Sequence, residues 1–295
     1  MKKQSFLISV VVPMYNASAF IRKCIEHLIH QTYTNLEIIV VDDGSSDGCG
    51  KIIKDYAKRD KRIRLITQNN AGVSTASNVG ILAAKGEYVH IHDHDDFVNL
   101  DYFERMAEAA ELTKADILCG EVNQPRYNFP VFDKIEILTS LSDKILITRA
   151  NRFNPAWRYV YKADFLKKHK ILFEPSLQGP QDVIFSKTAI ILADTVATVP
   201  GARYNVVNTP TALGKTIKKH SKKEPTKEQI DTWKRWDKFV QEHNAAGLLN
   251  TPEYPFHVDY YKMFNKTIFR RDIYTKKIKF YLFGINIGTK HIDLD

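Results

Sequence analysis

The chain has 295 residues, of which 44% are hydrophobic and 26% charged, a globular composition that excludes disorder or low complexity as the main theme. Its 43 Lys and Arg against 34 Asp and Glu leave a net charge of +9, which suggests an anionic partner (nucleic acid, an acidic membrane or a phosphorylated substrate) without choosing among them. Cys24, Cys49 and Cys119 are its three cysteines; they form no CxxC pair and leave one over from any bridge, which argues against zinc ribbons and disulfide scaffolds and for a reducing compartment.

At roughly 100–200 residues per domain the length fits one large domain or two smaller ones. No apolar run approaches the ~20 residues of a membrane span. Residues 6–12 form a continuous β-branched run, the pattern of a strand buried on both faces. Lys2 and Lys3 ahead of it and Ala17-Ser18-Ala19 behind it imitate a secretory signal. The run is short for that, and Pro13-Met14-Tyr15-Asn16 interrupts it, so a strand is the better reading.

Asn16 or Ser18 can cap a helix on which Phe20, Ile21, Cys24, Ile25, Leu28 and Ile29 recur at helical spacing. Residues 36–41 are a second buried strand, ended by Asp42-Asp43-Gly44-Ser45; Ser46 or Asp47 can cap the helix that follows, through Tyr56. Residues 63–66 read as a third strand, 74–84 as a helix, and 88–91 as a fourth strand ended by Asp93-His94-Asp95-Asp96. A helix through Phe103 and Met106 leads to a strand at 116–119. This alternation predicts an α/β fold, a doubly wound, mostly parallel sheet flanked by helices.

The second half is less regular. Residues 121–147 read as loop and short strand, 155–168 as an aromatic-rich strand or helix, 183–192 and 226–243 as helices, and 215–227 as a Lys-rich loop. Residues 260–287 interleave aromatics with Lys and Arg and are taken as a C-terminal helical extension. The expected divisions are 1–122, 123–215 and the extension at 216–295.

An open parallel sheet binds its ligand beyond the carboxyl ends of its strands. Three polar clusters fall at such ends: Pro13 to Asn16, Asp42 to Ser45, and Asp93 to Asp96. Taken singly, each also has a structural reading as turn or helix cap. Carboxylates side by side repel one another, and a divalent cation relieves this; oxygen ligands suit Mg²⁺ or Mn²⁺, which also bind substrate phosphates. No GxGxxG follows the first strand and no GxxxxGK[ST] is present, so a dinucleotide fingerprint and a P-loop are both disfavoured.

The sequence resembles the family 2 glycosyltransferases of the A-type (GT-A) fold. The resemblance is carried by Ile8 to Asn16 (ISVVVPMYN), Gln31 to Asp47 (QTYTNLEIIVVDDGSSD), Asn70-Ala71-Gly72-Val73-Ser74, Ala84-Lys85-Gly86-Glu87-Tyr88 and Asp93-His94-Asp95-Asp96, and is strong over about the first 120 residues. It implies that Pro13, Tyr15 and Asp43 frame a nucleotide base, usually uracil, with Asp42 supporting the turn and Asn70 near the nucleotide. It further implies that Asp93-His94-Asp95 is a DXD motif. Asp95 then binds the metal, and Asp93 touches the ribose or the metal's waters. Mn²⁺ or Mg²⁺ bridges the diphosphate of a UDP-sugar and offsets charge on the leaving group.

Inverting transfer to an acceptor hydroxyl needs a base, usually a carboxylate. The family places it in a Glu-Asp pair, for which Gln181-Asp182 stands here, so Asp182 is the expected base; its other reading is an N-cap. Two departures mark the chain. Gln181 replaces the usual Glu, and Ser77 stands where the family often has Arg before Asn. His90 and His92 share one strand face and are expected to be packed rather than ligating. His220 and the Lys-rich loop are candidate diphosphate contacts.

The aromatic and basic C-terminus suits the interface of an anionic bilayer, and Lys279-Phe280-Tyr281-Leu282-Phe283-Gly284-Ile285 resembles the C-termini of bacterial enzymes that build lipooligosaccharide. The expected partners are therefore a UDP-sugar donor, a glycan or glycolipid acceptor and the cytoplasmic face of an anionic membrane, not nucleic acid. A sugar nucleotidyltransferase and a catalytically silent nucleotide-sugar-binding module are the rival readings.

Overall fold

The computed structural model describes residues 6–123, 129–151, 154–177, 181–207, 226–245, 248–249, 257–263, 266–273, 277–282 and 285–291, with side chains as far as residue 249. By contacts along and across the chain it divides into two units, Met1–Pro175 with Gln181–Val207, and Ser176–Pro180 with Asn208–Asp295. The boundary expected at 122/123 falls inside the first unit.

The first unit is built on one mixed sheet. Its strands β1 (Ile8–Met14), β2 (Leu36–Asp42), β3 (Ile63–Thr67) and β4 (Tyr88–Ile91) run parallel in the order β3-β2-β1-β4. All seven positions of β1 and of β2 are buried, which is why these strands read as unbroken apolar runs rather than alternating ones. Helices α1 (Ile21–Ile29), α2 (Cys49–Ala57) and α3 (Val73–Ala83) form the crossovers.

The sheet continues through β5 (Phe97–Val98), helix α4 (Tyr102–Thr113), β6 (Ile117–Asn123), β7 (Ile137–Leu138), helix α5 (Leu141–Ile147) and β8 (Tyr159–Lys162). Helices α6 (Ala163–Lys168) and α7 (Gln181–Leu192) and strand β9 (Val196–Asn205) complete it. Strand β8 inserts antiparallel between β4 and β6, β9 pairs parallel with β6, and β5 and β7 pair antiparallel with β9. The stretch 155–168, expected as strand or helix, is both in turn. The loop expected at 121–147 contains α5, capped by Ser140, whose hydroxyl accepts the Asp143 N–H.

Arg158 ties this half together. It is fully buried, its Nε donates to the Gly120 carbonyl and its Nη1 to the Thr148 carbonyl, and its guanidinium lies 5.1 Å from the Phe129 ring centre. The planar fork therefore links β6 to the end of α5, with an aromatic face in place of a carboxylate. Cys24, Cys49 and Cys119 are buried and free, as their spacing implied.

The second unit holds α8 (Lys227–Glu242), opened by a capping box in which Thr226 and Gln229 exchange side-chain and backbone hydrogen bonds. It also holds an antiparallel sheet of β10 (His257–Met263), β11 (Lys266–Ile273), β12 (Lys277–Leu282) and β13 (Ile285–His291), in that order. Among the described residues of the expected helical extension, α8 is the helical part. The basic and aromatic stretch is a β-meander, because its charges and apolar residues recur every second position, as in Lys277-Ile278-Lys279-Phe280, which is a strand period. His220 and Lys215 to Lys223 lie outside the described residues. Among the described residues no helix is long and apolar enough to cross a membrane.

Candidate active site

The strand ends of β1, β2 and β4 meet through the backbone. Asp43 N donates to the Met14 carbonyl, His92 N to the Val11 carbonyl, and His94 Nδ1 lies 3.3 Å from the Pro13 carbonyl oxygen. Pro13, Asp42, Asp43 and the acidic turn at 93–96 therefore stand side by side at one sheet edge, where the parallel order puts them. Tyr15 is half exposed at this edge.

The β2 turn is a hydrogen-bonded frame. The buried Asp42 accepts the Ser45 N–H through Oδ1, and a Cβ on Gly50 would come within 2.6 Å of its Oδ2. Asp43 is also buried, and its carboxylate accepts Gln68 Nε2 at 2.7 Å and the N–H groups of Ala71 and Gly72, each at 2.8 Å. Asp43 thus holds in place the loop that carries the exposed Asn70. Gly44, at φ +76°, lets this loop approach, since a Cβ there would lie 2.8 Å from Asn70 N. Asn16 and Asp47, expected as helix caps, brace the loops to each other instead. Asn16 accepts the Ser46 N–H, and Asp47 accepts those of Ser18 and Cys49.

The acidic turn and α7 share one electrostatic field. Burial raises the Asp93 pKa well above the usual carboxylate range, and the charges of Asp96, Asp182 and Asp95 push it further. Asp96 is raised to about 7, chiefly by burial and further by Asp95, against the opposing hydrogen bonds from Val207 N–H and Tyr204. Burial raises Asp182, in the first turn of α7, to about 6. Asp182 comes from the far half of the sequence, yet its charge is felt at Asp93, so α7 faces the same acidic edge.

The two strand histidines are packed. His90 Nδ1 lies 3.0 Å from the Tyr159 carbonyl oxygen and His92 Nδ1 lies 3.4 Å from His90 Nε2. Both are buried, and burial lowers both pKa values, that of His90 to about 4. Gln181 is buried beside Asp182. Ser77 is buried on α3, and its neighbour Asn78 makes a two-way amide contact with the Phe173 backbone.

The donor set fits a hard cation. Among the described residues no three His, Cys, Asp or Glu side chains gather as a closed metal cage requires. A Mg²⁺ or Mn²⁺ ion held by one or two carboxylates and a substrate's phosphates needs no such cage. The elevation of Asp93 by the charges of Asp96, Asp182 and Asp95 is what a nearby cation would relieve.

Two site residues were not legible in the sequence. Tyr204 and Val207 both bond to the acidic turn, each across 111 positions of chain. No local signal could have found either; the aromatic near the end of β9 was the only trace.

A parallel first half, an antiparallel β8 insertion and an acidic turn at the carboxyl edge define a GT-A fold. The chain belongs to the family described as glycosyl transferase family 2, whose model matches residues 9–168. It is 37% identical over 215 residues to the uncharacterized glycosyltransferase EpsJ of Bacillus subtilis (strain 168), a match covering 70% of this chain and 62% of EpsJ. The matched part is therefore less than two thirds of that relative. In fold it is similar to S. aureus TarS 1–349 in complex with UDP-GlcNAc, with a TM-score of 0.61 at 24% identity over 68% of this chain and 58% of that one. It is also similar to the mannosyltransferase PcManGT from Pyrobaculum calidifontis in complex with GDP-Man and Mn²⁺, with a TM-score of 0.55 at 17% identity over 83% and 72%.

Proposed function

We propose that this protein is an inverting glycosyltransferase that moves a hexose or N-acetylhexosamine from a UDP-sugar to a hydroxyl of a bacterial surface glycan or glycolipid. Pro13, Tyr15 and Asp43 frame the base, Asp42 keeps their turn, and Asn70 borders the nucleotide. Asp93 and Asp95 hold Mn²⁺ or Mg²⁺, which when bound offsets the charge of the departing diphosphate. Asp182 takes the acceptor's proton as the acceptor oxygen bonds to the anomeric carbon; the bond from that carbon to the diphosphate oxygen breaks, and UDP leaves with the electron pair.

The observation that supports this reading most is that the Asp182 charge raises the Asp93 pKa, while burial raises Asp182 itself to about 6; a base poised near neutral pH suits proton abstraction. Ser77 supplies no cation to the phosphates, so the metal has a larger share of that task here than where an Arg precedes the Asn. A sugar nucleotidyltransferase is disfavoured, since Pro13-Met14-Tyr15-Asn16 is not the Gly-rich basic loop that such an enzyme places after its first strand.

The deciding experiment screens UDP-hexoses and UDP-N-acetylhexosamines for slow hydrolysis with Mn²⁺ present and acceptor absent. Hydrolysis of one donor is the expected result. UDP binding with no hydrolysis of any donor would make the protein a silent module, the reading that Gln181 leaves open.

The second unit supports attachment to the cytoplasmic face of an anionic membrane. Strand register places Tyr260, Arg270, Tyr281 and Asn286 in one row of the meander, and Asp272 and Lys279 in the next. Tyrosines and cations on one face suit a headgroup layer.

A further inference from the structure

The turn at 93–96 is tied to a strand far from it in sequence. Tyr204, near the end of β9, is fully buried and sits in register opposite Val98 on one side and Val122 on the other. Its hydroxyl oxygen accepts the Asp93 N–H at 3.1 Å, as a phenol oxygen with two lone pairs can. Three residues on, just past the end of β9, Val207 N donates to Asp96 Oδ1 at 2.7 Å. The end of β9 and the residues that follow it thus clamp the turn at its first residue and at its last, with Asp95 between.

The ring itself cannot drift. It stacks on Trp157 with centres 4.3 Å apart and planes 20° from parallel, and His92 packs against it at 5.4 Å. Core packing accounts for a ring at this position but not for a hydroxyl, since phenylalanine would fill the same space. The hydroxyl is needed because the Asp93 N–H requires an acceptor.

We infer that Tyr204 is a positioning residue for donor binding, its hydroxyl fixing the acidic turn so that Asp93 and Asp95 meet the metal and diphosphate of the donor. The inference rests on the donor reading above, and the test separates the two. Hydrogen exchange is measured on the peptide containing residues 92–97 in the metal-free full-length protein, for wild type and Tyr204→Phe. Mn²⁺ binding in the presence of UDP is measured by calorimetry on the same proteins, and the Mn²⁺ dependence of donor hydrolysis is recorded.

Tyr204→Phe is expected to exchange about tenfold faster at the turn and to bind Mn²⁺ with UDP about tenfold more weakly. Its half-saturating Mn²⁺ rises by the same factor, while its rate at saturating Mn²⁺ stays within about twofold of wild type. Asp96→Asn added to Tyr204→Phe should cost less than the sum of the two single changes, because both loosen the same turn. Unchanged exchange with normal wild-type binding overturns the inference and leaves the donor reading intact. Faster exchange with unaltered Mn²⁺ affinity overturns it too, reducing Tyr204 to a packing residue. Faster exchange in a protein whose wild type binds no Mn²⁺ with UDP overturns the donor reading, and with it the donor role of a clamp that still stands.

Discussion

A general base works best with a pKa near the operating pH, and burial moves Asp182 toward it. With its pKa at about 6, the working form is the ionised one, so the transfer rate should fall as pH drops through about 6 and level off above it. The rate profile of Asp182→Glu, which keeps a carboxylate, should retain an acid limb, whereas Asp182→Asn should abolish transfer while leaving UDP binding within about twofold of wild type. The same burial has a stability consequence of definite sign. A carboxyl near 3.9 in the unfolded chain and about 6 in the folded one favours folding at low pH, and that contribution is lost as pH rises through 6. Asp182→Asn should therefore be more stable than wild type at pH 7.5 by about 1–3 kcal/mol. Thermal melts of the two proteins at pH 5 and pH 7.5 check this, and a difference that does not grow with pH contradicts it. Asp95→Ala tests the other carboxylate: it should weaken Mn²⁺-dependent UDP binding at least tenfold and leave the melting temperature nearly unchanged.

At the scale of elements, β2 and the loop after β3 behave as one piece because a single carboxylate joins them. Asp43→Ala removes the acceptor of three donors, the Gln68 amide and the N–H groups of Ala71 and Gly72, two of them backbone groups. The cost should be about 2–3 kcal/mol, since unpaired donors lose their full desolvation cost rather than a net hydrogen bond. UDP binding should fall together with the melting temperature, in contrast to Asp95→Ala; a calorimetric titration beside a thermal melt separates the two. This double duty explains what could and could not be read from sequence. Strands β1 and β2 were legible because burial on both faces leaves runs rich in β-branched residues. The motif Ala84-Lys85-Gly86-Glu87-Tyr88 was legible as a likeness, but its physical content appears only in the fold. Lys85 N donates to Glu37, and the Glu87 carboxylate accepts the Leu7 N–H. Both bonds join chain segments that local periodicity cannot connect. The stretch 155–168 was ambiguous because a 3-10 turn, a four-residue strand and a six-residue helix follow one another, each too short to show a period. Asp96 sat in plain view within an acidic motif, yet its partners Tyr204 and Val207 are fixed by sheet topology alone.

For the molecule as a whole the net charge of +9 is the long-range feature, and the C-terminal meander concentrates part of it. Arg270 and Tyr281 are register partners, Asp272 and Lys279 are the next pair, and Lys277 lies two positions before Lys279 along the strand. Three cations stand at these neighbouring positions against one acid. Each Lys or Arg near an anionic bilayer contributes about 1 kcal/mol, so three amount to about 3 kcal/mol, on the order of a hundredfold in partitioning. Screening limits the effect to within a Debye length, about 8 Å at physiological salt. The full-length protein should therefore float with vesicles containing phosphatidylserine at low ionic strength, and float much less in 0.5 M NaCl or with neutral vesicles. Reversing the three charges together (Arg270→Glu, Lys277→Glu and Lys279→Glu) should abolish flotation without changing donor hydrolysis, because none of these residues is among those proposed to hold the donor. Flotation that survives both salt and charge reversal would show that apolar insertion, not charge, holds the protein at the bilayer. Failure to float at low salt would leave the basic meander to meet a soluble polyanion, such as a phosphate-bearing acceptor, and would remove the membrane from the proposal.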